Sequence, residues 1–373
     1  MIDFIVLPIT WLLFYLLGRF FARSVDFRRY VLAITSITLL LFACGPKTCI
    51  LYSALSLGII ISAYGMQRIQ NDKFYKIVFV VSVAVQVLVI VVYLKFRIYF
   101  QKYFVYLPSL SYLGFRGIAY LTSVYRNRRI NLSVGLLQML FFPMLFIGPI
   151  SRAENFEEGK YNYASVLQRL MLGLAMLIAG RFCSVYVLAN LNMDSLKDIH
   201  WSLFWLGAVS NSFEIYFTFA GYSHLVIGLG LLAGFQLPEN FNNPYFATSI
   251  SEFWRRWHMS LSYWIRDYLY IPLGGSRRGV ARKCFNLIVP MGICGAWHGL
   301  SWHYVLWGLY HGVLLAIESL MAHFGLQPVR RFLPAFAKPV KVAITFCLTT
   351  FGWLLFTYPL SEFIIYMKGL VSW

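Results

Sequence analysis

The sequence predicts an all-α polytopic membrane protein of about eleven spans, with re-entrant or interfacial helices among them, and three observations carry that reading. Hydrophobic residues fill 60% of the 373 positions and charged residues 12%, against roughly 45–50% and about 25% in soluble domains. Apolar runs such as Ile2 to Phe21, Tyr30 to Cys44 and Ile77 to Tyr93 approach or meet the roughly 17–25 residues a helix needs to cross about 30 Å of hydrocarbon. No series of alternating strands of about ten residues appears, so a barrel, the one β arrangement that hides its backbone from lipid, has no support.

In chain order, the first run (2–22) lacks the basic start and small-residue cleavage site of a secretory leader and reads as a retained span. Further spans follow at roughly 30–45, 48–65, 77–96, 107–124, 133–150, 164–190, 201–233, 285–297, 302–321 and 341–357. With no internal repeat, low-complexity tract or long linker, one membrane domain over 1–373 is expected, its motif-bearing core at about 105–357. The 32 Lys and Arg against 14 Asp and Glu give a charge of +18. They cluster between spans (Arg23, Arg28, Arg29; Arg126, Arg128, Arg129; Arg277, Arg278, Arg282, Lys283), which fits cytoplasmic loops near anionic lipid heads rather than nucleic acid. The clusters after the first span and around Gln67 to Lys76 place the N-terminus outside. The six cysteines form no CxxC pair or zinc spacing and read as small buried hydrophobes.

Two segments fit plain spans badly. Phe235 to Arg282 carries Pro238, Glu239, Asn240, Asn242, Asn243, Pro244, Glu252, Arg255, Arg256, His258, Arg266, Asp267 and Pro272, which cannot face lipid. Its aromatic and aliphatic residues at helical intervals (Phe253, Trp254, Trp257, Leu261, Trp264, Ile265) suggest a helix at the interface or re-entering a polar cavity. On one helix His258, Ser262 and Arg266 share a face; the bland reading is a solvated amphipathic face. Arg266 and Asp267, as neighbours in sequence, are expected to point apart and pair with other groups rather than with each other.

Met291 to Gly312 places three histidines, His298, His303 and His311, in an apolar helix pair, where ionisable residues are functional candidates by default. His298 lies between Gly295 and Gly299, which allow close approach of backbone or substrate. On one continuous helix His303, Trp307 and His311 share a face and His298 points elsewhere, so no single metal cluster is expected. For His303 and His311 the bland reading is helix packing with a bond to neighbouring backbone. A neutral imidazole beside a hydroxyl can take its proton as the oxygen attacks an acyl carbonyl. A GxSxG elbow, a Walker loop and a dinucleotide fingerprint are all missing from the sequence, which removes support for serine hydrolysis, ATP hydrolysis and hydride transfer.

The words GYSHLVIGLG, LPENFNNPYFATSISEFWRRWHMSLSYWIRDYLYIPLGG and GAWHGLSWHYVLWGLYHG resemble, in order and spacing, the membrane-bound O-acyltransferases (MBOAT), specifically the bacterial alginate O-acetylation and D-alanyl-transfer branch. Weaker likeness continues in LPSLSYLGFRGIAYLTSVYRNRR, FFPMLFIGPISRAENF and FGWLLF. The resemblance implies a ring of tilted helices around a thinned centre, with a tunnel joining a cytoplasmic donor side to an external acceptor side. It puts the family's catalytic histidine on His298, in the WHG word, and its second polar partner on His258, in RRWHMS. Polysaccharide acetylators of this branch carry Tyr-Phe-Asp-Phe-Ser-Gly-Tyr-Ser-Asp, where this chain has Tyr216, Phe217, Thr218, Phe219, Ala220, Gly221, Tyr222, Ser223 and His224. Two acidic positions are missing, so acceptor or metal contacts made there do not carry over. Alginate-type members also carry further C-terminal spans, a contribution expected here from a partner protein.

The expected function is O-acetylation of an exported polysaccharide such as cellulose, alginate or a related envelope glycan, at the bacterial cytoplasmic (inner) membrane. Acetyl-CoA or an acyl carrier protein thioester is the expected donor, docked at the basic loop by Arg277 and Arg278, with no permanently bound cofactor or metal. Expected partners are membrane lipids and either the polysaccharide or a periplasmic or surface acyl-accepting protein, with a polysaccharide synthase complex as a further candidate. The alternatives are D-alanyl or longer-chain acyl transfer to a lipid-linked glycan or small metabolite and, from another class, a small-molecule transporter or channel.

Overall fold

Backbone groups inside a bilayer must be bonded within their own segment, and in the computed structural model every regular element among the described residues is helical. The structure describes residues 13, 16, 24–103, 110–129, 131–157, 163–188, 201–326 and 337–371. Of the span expected at 2–22, all but Leu13 and Leu16 lies outside them, as do 107–109 and 189–190 of two others. Among the described residues, six helices are long and apolar enough to cross a membrane: Val25–Gln67, Asp72–Phe96, Ala164–Val185, Trp205–Leu232, Trp302–His323 and Ala337–Thr357. The chain is thus an all-α polytopic membrane protein, and it divides into two compact units.

The first unit is drawn from Met1–Leu174 and Tyr222–Glu239. The spans expected at 30–45 and 48–65 are the two arms of one kinked helix, α1 (Val25–Gln67), bent at Gly45 (φ 78°) ahead of Pro46. Glycine takes the left-handed backbone without steric cost, and proline cannot supply the helical N–H. After α2 (Asp72–Tyr103) and α3 (Leu110–Asn127) comes α4 (Leu132–Leu140), which Asn131 caps by accepting a bond from the Val134 N–H at 3.2 Å. Leu32, Tyr52, Leu121, Leu137, Phe141, Phe156 and Phe235 form the core. Arg116 on α3 is fully buried and donates to the Gln138 carbonyl at 3.1 Å and the Tyr52 hydroxyl at 2.6 Å.

A single span over 133–150 is not what forms. The helix ends at Leu140, a 3₁₀ turn follows at Phe142–Met144, and another lies at Ala153–Phe156. Pro143 lacks an N–H and its ring would meet the Met139 carbonyl of a continued helix, while Gly148 takes φ 146°. The irregular backbone is bonded inside the protein instead: Ser36 Oγ accepts from the Phe142 N–H at 3.1 Å, and Gln138 Nε2 donates to the Ser151 carbonyl at 3.2 Å.

The second unit is drawn from Ala175–Gly221 and Asn240–Trp373. α5 (Tyr163–Phe182) and α6 (Trp201–Leu232) each contribute to both units, and α5 runs into a π-helical turn at Cys183–Leu188. The polar segment then forms two short helices, α7 (Ile250–Arg256) and α8 (Met259–Ile265), and a π-helical turn at Arg266–Tyr270. α9 (Gly279–His298) and α10 (Trp302–His323) make a hairpin, followed by α11 (Ala337–Thr357) and α12 (Leu360–Val371). Polar ties join the elements: Asn211 Nδ2 donates to Thr357 Oγ1 at 3.0 Å and the Tyr245 hydroxyl to the Ser212 carbonyl at 2.6 Å.

Candidate active site

Close backbone packing builds the α9–α10 hairpin. A Cβ on Gly295 would stand 2.2 Å from the Tyr304 carbonyl oxygen, one on Gly308 2.2 Å from that of Met291, and one on Gly312 2.7 Å from the Ile288 Cα. Any side chain at these positions would force the helices apart, so small residues bring the two backbones into contact. His298 is the last residue of α9, and Gly299 to Ser301 turn the chain into α10. That break corrects the continuous-helix reading: His298 does not point away from the α10 face but packs against it.

Aromatic rings surround the half-buried His298. Its ring centroid lies 4.4 Å from Trp297, 5.2 Å from Trp307, 5.0 Å from Phe356 and 6.4 Å from Tyr304, with Trp307 and Phe356 edge-to-face. Trp307 has His298 against it at 5.2 Å and His311 at 5.4 Å. His311 is fully buried, and among the described residues neither of its ring nitrogens has a hydrogen-bond partner. In place of the expected bond to neighbouring backbone, Phe253, Trp254 and Tyr310 pack around the ring. Gly352 presses on it as well, so closely that a Cβ there would be 2.5 Å from Nε2.

His258 is held differently. It is the N-cap of α8 in a left-handed conformation (φ 40°, ψ 54°), buried to 3% exposure, with its ring 4.7 Å from Phe219. A non-glycine residue in this region carries strain of order 1–3 kcal/mol, which persists only where the surroundings impose it. Here the Asn240 carbonyl accepts from the Met259 N–H at 2.9 Å, and Asn240 Oδ1 from the Ser260 hydroxyl at 2.6 Å. On α7 before it, Ser249 Oγ accepts from the Glu252 N–H at 3.1 Å, and Glu318 of α10 accepts from the Ser251 N–H at 2.9 Å. Ring contacts tie the two histidines to one aromatic cluster of this unit: Phe219 beside His258 packs on Phe241 at 5.0 Å, Phe241 on Trp257 at 5.0 Å, Trp257 on Trp353 at 4.6 Å, and Trp353 on Phe356, the neighbour of His298, at 5.8 Å.

The shared face expected of His258, Ser262 and Arg266 is broken by the left-handed turn at His258. Ser262 and Arg266 line a cavity of about 300 Å³ with Trp254, Asn286, Pro290 and Met291, whereas His258 is not among its lining residues. The expectation that Arg266 and Asp267 would not pair is also overturned: Arg266 Nε donates to Asp267 Oδ1 at 2.8 Å. The flexible arginine stem folds back over the π-helical turn to its neighbour. Arg277 and Arg278 are exposed on a turn with Gly274, Gly275 and Gly279 at positive φ. Asn286 Nδ2 pins that turn by donating to the Gly275 carbonyl at 2.8 Å and the Leu273 carbonyl at 3.3 Å.

Sequence reasoning missed Trp307 and Phe356 as neighbours of His298, because they are far apart in the chain and tryptophan and phenylalanine in apolar runs read as core. It also passed over a charged cluster in the first unit. There Arg169 Nη1 donates to Glu239 Oε2 at 3.0 Å and lies 3.0 Å from His224 Nδ1. His224 stands where an acidic residue was expected, and it faces the guanidinium as a polar group.

The family model for membrane-bound O-acyltransferases matches residues 133–361. A probable alginate O-acetylase, AlgI, of Pseudomonas putida is 38% identical over 256 residues, covering 66% of this chain and 51% of that protein. A peptidoglycan O-acetyltransferase of Helicobacter pylori is 35% identical over 243 residues, 62% of this chain and 45% of that one. A teichoic acid D-alanyltransferase of Bacillus subtilis is 29% identical over 283 residues, 67% of this chain and 70% of that one. The chain thus spans about half the length of the alginate-type relatives it matches.

Proposed function

The chain belongs to the membrane-bound O-acyltransferase family, and from that premise we propose that it O-acetylates an exported polysaccharide from a cytoplasmic thioester. The observation that carries the reading is His298, half-buried at the turn of a glycine-packed hairpin with aromatic rings against it. In the proposed step a ring nitrogen of His298 takes the proton of an acceptor hydroxyl as its oxygen bonds to the thioester carbonyl carbon. The C–S bond then breaks, the leaving thiolate receives that proton, and ester and thiol are formed with His298 restored. His258 is the second polar group, a rigidly held imidazole that orients the acceptor or steadies charge beside His298.

Acetyl-CoA and an acetylated carrier protein share a phosphopantetheine arm, and either serves as donor. Arg277 and Arg278 are the docking cations, on the turn that Asn286 ties to the cavity wall. Leu287 and Met291, which line that cavity, precede His298 by about three and two turns on the same face of α9, so an extended arm there points along the helix toward His298. The setting is the bacterial cytoplasmic membrane. The acceptor is the polysaccharide itself or a periplasmic or surface protein that passes the group on, with a synthase complex as a further partner.

The test is thiol release by the purified chain from acetyl-CoA and, separately, from an acetylated carrier protein, with and without alginate or peptidoglycan fragments. Acceptor-dependent release supports the reading; no turnover of either donor, or hydrolysis indifferent to acceptor, removes it. A second reading, D-alanyl transfer, is favoured by the 70% coverage of the Bacillus subtilis protein. Turnover of a D-alanyl carrier protein in place of acetyl donors would select it.

A further inference from the structure

We infer that Trp307 and Phe356 form a rigid wall that restricts the transferred group to short acyl chains, an inference that rests on the acyl-transfer reading. Four substituents crowd the reacting carbon: the incoming acceptor oxygen, the departing thiol, the carbonyl oxygen and the acyl chain. His298 is only partly exposed, and the bulky acceptor and donor arm both need its open side. The acyl chain is left to extend toward the enclosed side, where Trp307 stands at 5.2 Å and Phe356 at 5.0 Å from the imidazole. Rings at that spacing are in contact, so a methylene chain cannot pass between them without moving one.

Neither ring can easily move. Trp307 is 2% exposed and backed by Trp254 at 5.8 Å, Trp353 at 5.8 Å and His311 at 5.4 Å. Phe356 is braced by Trp307 at 5.1 Å, Tyr304 at 5.1 Å and Trp353 at 5.8 Å. Behind both, the backbone contacts of Gly295 and Gly308 prevent α9 and α10 from closing further, and ring packing leaves no slack for them to part. A wall two rings deep acts as a stop, whereas a single flexible side chain would yield to a longer substrate.

The experiment compares kcat/KM for acetyl, butyryl and octanoyl groups, each carried on CoA and on a carrier protein, in the wild type, Phe356→Ala and Trp307→Leu. Wild type should favour acetyl over octanoyl by about a hundredfold or more, and either truncation should narrow that ratio by about tenfold or more, since each methylene in a fitted pocket discriminates by roughly 10–200-fold. Trp307 is buried and its variant has the greater risk of misfolding; Phe356, at the edge of the cluster, then decides. The inference is overturned if wild type uses octanoyl as well as acetyl, or if the ratio is unchanged in a folded variant that still transfers acetyl. Failure of the wild type to transfer any acyl group from either carrier overturns the acyl-transfer reading itself, and the wall with it.

Discussion

Two histidines separate chemistry from architecture at the residue scale. His298 is half-buried at a helix end, alanine keeps the backbone bonds of α9, and its neighbours Trp307 and Phe356 are also braced by one another. His298→Ala should therefore elute as a single folded species in detergent yet lose about 10²–10⁴-fold in acyl transfer, the usual contribution of a general base. His258 requires a different substitution, because its left-handed backbone (φ 40°) would strain alanine. Asparagine tolerates that region, so His258→Asn should keep the fold while slowing transfer. A His258→Asn protein with the wild-type rate would show that the residue serves only to turn the chain between α7 and α8.

The same logic applies to whole elements. Gly295→Ala would drive a methyl group into the Tyr304 carbonyl, 2.2 Å from the ideal Cβ, and overpacking of this kind typically costs about 1–3 kcal/mol; thermal unfolding of the purified variant should fall measurably below wild type. α7 is set by charge as well as packing. Thr248 donates to Glu252 Oε2 from its N–H at 2.7 Å and its hydroxyl at 2.6 Å, and Arg256 Nη2 donates to Oε1 at 2.6 Å. The Thr248 hydroxyl, its backbone N–H and Arg256 together lower the Glu252 pKa from 4.5 to about 2. The resulting stability is complete above the unfolded value of about 4.5 and is lost as pH falls toward the folded value of about 2. Glu252→Gln should flatten that acid limb; an identical loss in wild type and variant would assign it to other carboxylates. Apolar run length made most helices legible in the sequence, and the WHG and RRWHMS words marked both histidines. What stayed hidden was set by tertiary contacts: α4 stopping before Pro143, a left-handed His258 dividing one expected helix into two, Arg266 folding back on Asp267, and an aromatic wall contributed by distant segments.

At the scale of the whole molecule, the field of the chain matters more than any pair. A charge of +18 attracts anionic lipid heads and anionic donors alike, and such attraction acts mainly on encounter rates. Arg277 and Arg278 project from a turn that glycines and Asn286 hold in shape, and neither is needed to form it, so replacing both with glutamine should leave insertion and folding intact. If the turn docks the donor, the doubly neutralised protein should show a raised apparent KM for acetyl-CoA or acetyl carrier protein, with kcat little changed, because only binding before the chemical step is weakened. The wild-type KM should rise with added salt toward that of the variant, since exposed charges are screened over about 8–10 Å at 0.1–0.15 M ionic strength. Simple membrane anchoring predicts neither effect. Unchanged donor kinetics at low salt in a folded, inserted protein would mean that the donor enters elsewhere and that these cations hold the loop against lipid heads.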